Sequence, residues 1–276
     1  MTGIKSVLKA FRVAVGLLRR GRPAAPLAVY FLLKTAVVLL YARDSSGAAA
    51  HLWRALRPGP GAEALSHYPD RLIAMPAVLG RLDIPLEILV LSFAQGATVL
   101  LVALAARGER LSLRAGAARA RSRYVHLAVS AAIVSAALFA VFRLSAALLH
   151  RIAAIPRAWE LGIGISAGLV VQAIFIYAVP FVMLEGRSSI DAVKRSVMFA
   201  GRHFVESLAL VAVPFAVTVP TLLLALNPRA IAFQLSPEFL VQSQIAGAFM
   251  EFAAGYLLMG SLTIYVLDTR MKEEKR

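Results

Sequence analysis

Lys34, Glu87, Gln95, Arg143 and Glu251 are polar side chains set inside long apolar runs. A lysine at the centre of such a run costs on the order of 3 kcal/mol to place in hydrocarbon. Lys34 must therefore face other helices or a wet cavity, while Arg143, in the outer third of its run, can either snorkel or pair with an acid. Arg143 and Glu251 fall at similar depths in their runs, which predicts an ion pair between them. Lys34 is expected to join that pair through water or Gln95. Such a set either satisfies buried charge structurally or forms a site for a solute or a lipid headgroup.

Two other groupings invite a chemical reading. Gly164-Ile-Ser166-Ala-Gly168 spells the Gly-x-Ser-x-Gly string of a serine nucleophile elbow, which requires a strand, a sharp turn and a helix. Here the string lies inside an apolar helical run with no His/Asp pair evident for a triad. It also reads as a small-xxx-small face, with Gly164 and Gly168 placed for close helix packing. His51, Glu63, His67 and Asp70 share one connection, but a Pro-Gly-Pro-Gly break separates them and their spacing matches no compact metal motif. No metal or cofactor is expected. The absence of cysteine excludes disulfides, thiolate catalysis and Cys-ligated metals.

The elements that must position these residues follow from composition. Hydrophobic residues make up 59% of the 276, well above a soluble domain, and they cluster in blocks long enough to cross a bilayer. This predicts an all-α polytopic membrane bundle, one integral membrane domain over 1–276. The spans are expected at about 24–42, 84–106, 124–150, 160–184, 205–226 and 244–267. Within span 6, Gly247, Gly255 and Gly260 are expected as packing positions. Pro214 and Pro220 should kink span 5, either beside a cavity or simply to fit neighbours. The longest connection, 43–83, is expected to carry a short interfacial helix around Trp53.

A net charge of +15 suggests nucleic acid at first sight. The basic residues, however, lie in short segments between apolar blocks, as topology signals do, so no nucleic-acid partner is expected. Twenty of the 30 Lys and Arg fall in 1–22, 107–123, 185–204 and 268–276, and eight in the alternate connections. The positive-inside rule then places both termini in the cytoplasm.

Each odd-numbered span is preceded by a basic amphipathic segment: 3–20, 112–123 and 188–202. This is a weak threefold repeat of amphipathic helix plus membrane hairpin. In the first segment Ile4, Val7, Leu8, Phe11, Val15 and Leu18 form an apolar stripe, expected to lie against anionic lipid headgroups. The third follows an elbow at Tyr177, Pro180, Glu185 and Gly186. Ser188 is placed to N-cap its helix, with Asp191 completing a capping box. Glu185 is expected to pair with Arg187, Lys194 or Arg195, or to cap a helix, and so to brace the elbow.

This elbow, with Ser189-Ile-Asp-Ala-Val-Lys194-Arg195-Ser196 after it, resembles six-span bacterial inner-membrane proteins similar to the membrane domain of glycerophosphodiester phosphodiesterases. The likeness extends to the full layout and is specific over about 177–204. In that family catalysis belongs to a separate soluble barrel, so the resemblance implies no enzyme here. It also implies a bacterial cytoplasmic membrane.

The reading that follows is a non-enzymatic membrane protein that contacts lipid or organises the membrane, with a protein partner or a second copy as possible company. The alternative is a small transporter or export permease built on the buried polar set. An outer-half cavity lined by that set would favour transport, and a solid core would disfavour it. An intramembrane hydrolase needs Ser166 beside a base in a wet pocket.

Overall fold

The computed structural model describes residues 2–19, 21–43, 67–109, 112–151 and 157–274. Those residues are mostly helical, with no strand among them. Six helical segments among them are long and apolar enough to cross a membrane: Arg22–Arg43, Asp70–Ala106, Tyr124–Leu149, Gly162–Glu185, Phe204–Leu226 and Pro237–Glu273. The chain is a polytopic helix bundle.

The elements run in order α1 (Thr2–Leu18), α2 (Ala25–Arg43), α3 (Asp70–Leu86), a π turn (Glu87–Leu91), α4 (Ser92–Ala106), α5 (Leu113–Ser122) and α6 (Tyr124–Arg151). Then come α7 (Arg157–Phe175), α8 (Ala178–Glu185), α9 (Ser189–Arg202), α10 (Phe204–Leu226), α11 (Pro228–Gln234) and α12 (Pro237–Glu273). We call the end of the bundle carrying both termini the near face, and the opposite end the far face. The 37-residue α12 is the hub, packing on α1, α2, α3, α4, α10 and α11. At 1.5 Å per residue it is about 55 Å long, enough to pass the hydrocarbon layer and reach structure on both faces.

Two spans begin earlier than their apolar blocks. Helix starts at Asp70 rather than near residue 84, and at Pro237 rather than near 244. Pro76 and Pro85 lie inside α3 without ending it. Ser236 caps α12, its hydroxyl oxygen accepting from the Phe239 N–H. Span 4 differs in the other sense. The apolar run 160–184 breaks at the Ile176–Tyr177 turn into α7 and α8. Trp53, His51 and Glu63 lie outside the described residues.

Helices α1, α5 and α9 form a layer at the near face, one before each odd-numbered span. Ser112 and Ser188 cap α5 and α9, accepting from the N–H groups of Ala115 and Asp191. The Ser188 hydroxyl also donates to the Asp191 carboxylate at 2.6 Å. Of the α1 stripe expected against lipid, Ile4, Leu8, Val15 and Leu18 are exposed and Val7 is buried in the bundle. Many of the residues packed against the bundle are small, Ala10 and Ala14, Gly116 and Ala120, and Ala192, Ser196 and Ala200, and Val7, Leu17 and Phe199 are buried with them. Ile4, Leu8, Val15, Ile190, Val197 and Met198 are exposed on the outer side. In lipid, large apolar side chains gain nothing by leaving the surface, while small ones allow backbones to approach. Gly260 shows this directly, since a Cβ there would lie 3.0 Å from the Ala14 Cβ. The Tyr256 hydroxyl donates to Ala14 O at 3.1 Å, and Lys9 reaches Asp268 at 3.0 Å. So α1 is docked on α12 as well as facing outward.

Apolar packing is concentrated at two levels. The larger cluster is in the near half, around Ala97, Val102, Leu127, Tyr177, Phe181, Phe199 and Leu262. A second joins the far ends of α2, α3, α11 and α12 through Val38, Tyr41, Met75, Val78, Ile231 and Leu240. There the Tyr41 hydroxyl donates to Arg71 O, and the Arg71 guanidinium donates to Ala42 O. Tyr68 donates to Glu238 at 2.7 Å, and this bond raises the Tyr68 pKa. Between the two clusters the bundle is hollow.

Candidate functional site

The hollow is a chamber of about 450 Å³ in the far half, walled by spans 1, 2, 4, 5 and 6 and open to the surface. It exists because spans 2 and 5 flank span 6 without packing along each other. Small residues on span 6 widen it. Gly247 and Gly255, expected as helix-packing positions, line the chamber and also face neighbouring spans, where Cβ atoms would lie 3.7 Å from Thr221 and 4.0 Å from Leu27. Pro214 of span 5 also lies in its wall.

Lys34 is the centre of the charged wall. It is 9% exposed, and its ammonium has three N–H donors to satisfy. Glu251 takes two contacts, at 2.9 and 2.7 Å, and Asp83 takes one at 2.9 Å. The cluster ties span 1 to spans 2 and 6, which is how hydrocarbon-level charge is made tolerable. Glu87 faces the same chamber one turn beyond Asp83, and no cation pairs with it among the described residues. One ammonium thus shares the chamber with three carboxylates. Among the described residues no three His, Asp or Glu side chains converge closely enough to hold a metal ion. The excess negative charge is spread along a wall rather than focused at a point.

The wall's regularity on span 2 has a local cause. Asp83, Glu87, Leu91 and Gln95 all line the chamber at four-residue spacing. In an uninterrupted α-helix, positions four apart drift by roughly 40° each time, so the last would face away. The π turn at Glu87–Leu91 takes back part of that drift. It follows Pro85, whose missing N–H and ring disfavour regular helix at that point.

Arg143 is not part of this set. It is exposed on span 3, with its guanidinium 5.2 Å from the centre of the Phe139 ring. The expected Arg143–Glu251 pair is replaced by Lys34–Glu251, a direct contact with no bridging Gln95. Equal depth placed the two charges on one level, but span 3 turns this face away from the bundle. Sequence reasoning missed Asp83, assigned to the connection before span 2, and Gln172, which lines the chamber from span 4. Asp83 carried a signal in its four-residue spacing from Glu87.

The Gly164-to-Gly168 string is in α7. Both glycines are buried, and Cβ atoms there would lie 3.3 and 3.1 Å from the Phe142 ring. Ser166 points away from them, exposed, and donates to Gly162 O at 2.8 Å. Gly96 packs in the same manner, where a Cβ would come 2.6 Å from Leu127.

The elbow belongs to the near-half cluster. Tyr177 is fully buried. Its N–H donates to the Ser196 hydroxyl at 3.1 Å, and its own hydroxyl is 2.9 Å from that of Ser207. Its ring is 4.7 Å from that of Phe199, with Phe181 and Tyr265 also in contact. Pro180 is buried beside it. Glu185 pairs with Arg187, as one of the expected options has it, and also with Arg270 from the end of α12. Lys194 is exposed, and the Arg195 Nε is buried with no hydrogen-bond partner. Gly186 ends α8 at φ +68°, and its carbonyl accepts from Arg123 at 2.9 Å. A Cβ on Gly186 would meet that same guanidinium at 2.9 Å. Gly186→Ala should therefore cost about 1–2 kcal/mol, from the left-handed conformation alone, plus displacement of Arg123. Thermal unfolding in detergent reads this, and an unchanged midpoint would show the turn to be unconstrained.

No family model matches the chain, and neither the curated proteins nor the solved structures give a match.

Proposed function

We propose that the chain is a non-enzymatic, multi-pass protein of a bacterial cytoplasmic membrane that binds a cationic solute in the far-half chamber, as a small transporter or export permease. Both termini face the cytoplasm in this reading, which puts the chamber in the outer half of the membrane. The carrying observation is the wall on which Lys34, Asp83, Glu87 and Glu251 meet an accessible volume of ligand size. Lys34 already occupies two of the carboxylates. An incoming ammonium would pair first with Glu87 and then compete with Lys34 for Asp83 and Glu251. That competition gives ligand binding a direct hold on the contacts between spans 1, 2 and 6. The solid near half supports access from one side at a time. The likeness of 177–204 to a membrane domain whose catalysis lies elsewhere supports the non-enzymatic part.

Titration of ethylammonium, acetate and acetamide into the protein in nanodiscs tests this. Ethylammonium should bind, and Glu87→Gln should weaken it tenfold or more, about 1.4 kcal/mol, with the fold unchanged. Binding of acetate in preference, or of none of the three, would overturn the reading.

The near-face helices favour a second role, contact with anionic lipid. Their exposed side carries Ile4, Leu8, Ile190 and Met198 beside Lys5, Lys194 and Arg202. Native mass spectrometry should then retain phosphatidylglycerol over phosphatidylcholine, and equal retention would remove that role.

A further inference from the structure

A second cavity, of about 190 Å³, adjoins the charged chamber. The two share Glu87, Leu91, Gln95, Gln172 and Leu258 as a common wall, so Glu87 borders both. Beyond that wall their chemistry diverges. The main chamber continues to Lys34, Asp83 and Glu251. The side cavity continues between spans 2, 3 and 4 against Val134, Leu138, Phe175 and Ile176, and is open to the surface. Its few polar members beyond the shared wall are satisfied or slight: the Ser130 hydroxyl donates to His126 O at 2.7 Å, leaving Ser135. A charged compartment and an apolar one thus meet at a single carboxylate.

We propose that the ligand is an amphiphile, an alkylammonium whose head is held at Glu87 and whose chain runs into the side cavity. This rests on the cation-binding reading above and names the ligand class for it. A hydrophilic cation would leave the side cavity without a use, and an uncharged lipid would leave the excess carboxylate unpaired. The side cavity lies against span 3, whose apolar window is only 11% buried within the bundle. One thinly packed helix therefore separates the chain's compartment from the surrounding lipid, the phase in which an amphiphile is found.

The test is a chain-length series, ethylammonium, butylammonium and hexylammonium, titrated against the wild-type protein in nanodiscs with empty nanodiscs as the blank. Each methylene that leaves water for the side cavity should tighten binding roughly fourfold, from the usual free energy of burying a CH₂. Val134→Trp fills the side cavity from span 3 and should abolish this dependence while leaving ethylammonium binding unchanged. Leu138→Trp is the second filling variant should Val134→Trp fail to fold. Ethylammonium bound with no gain from longer chains would overturn the amphiphile inference and leave the cation site standing. A length dependence that survives both filling variants would also overturn it. If no member of the series binds, the cation-binding reading itself fails.

Discussion

Lys34→Met should destabilise the bundle by roughly 3 kcal/mol, the low end of what breaking a buried ion pair costs. The low end applies because the partners are not sealed in: the Glu251 and Asp83 side chains are 44% and 35% exposed in the chamber wall. Removing the ammonium leaves three carboxylates facing one volume with no cation among the described residues that line it. Glu251→Gln should cost much less, since Lys34 keeps Asp83. The triple variant Lys34→Met, Asp83→Asn, Glu251→Gln should recover most of the loss, because the pair's net worth is small once both charges go. Thermal unfolding in a mild detergent ranks the three. Lys34→Met as stable as wild type, or less harmful than Glu251→Gln, would contradict a lysine-centred cluster.

Tyr177→Ala should cost roughly 3 kcal/mol or more, as truncation of a buried aromatic does. The ring is packed by Phe181, Phe199 and Tyr265, so the site has rigid aromatic walls that close only partly on the void. Tyr177→Phe keeps the ring and loses only the hydroxyl contact with Ser207, which predicts about 1 kcal/mol. The elbow joins α8, α9 and α12, so the alanine variant should also loosen the near-half packing. Hydrogen exchange should accelerate across 178–202 in Tyr177→Ala and stay at the wild-type rate in Tyr177→Phe. Equal stability of the two variants would show that the ring carries no packing load.

The spans were legible because each needs about 20 apolar residues and the blocks have that length. Local devices were legible as well: Ser188 with Asp191, and Gly186 before them, act within a few residues of themselves. Helix ends were less so. Asp70, Arg71, Arg81, Asp83 and two prolines argue for a loop in water, yet in a bundle neighbouring helices can satisfy the groups a proline frees. Assigning that stretch to a loop hid Asp83. Azimuth was illegible too. Arg143 and Glu251 share a depth, but a span apolar all round carries no signal for which way it is turned. The Glu185–Arg270 pair joins residues far apart in the chain, and nothing local to either announces it. On α1 the helical period was legible, and Ile4, Leu8 and Val15 do face outward; what no local signal announced is that the same helix docks on α12 through Ala14.

The proposed function rests on a far-half chamber that is reached from outside the cell. The chain has no cysteine of its own, so a single introduced thiol reports cleanly. Thr221 lines the chamber, whereas Thr98 is 0% exposed in the near-half core. Thr221→Cys should react with a membrane-impermeant maleimide added outside intact cells, at a rate close to that of a thiol in an exposed outer connection. Thr98→Cys should stay unlabelled from either side. Thr221→Cys that resists the reagent from outside, or reacts only from the cytoplasmic side, would contradict an outward-facing chamber.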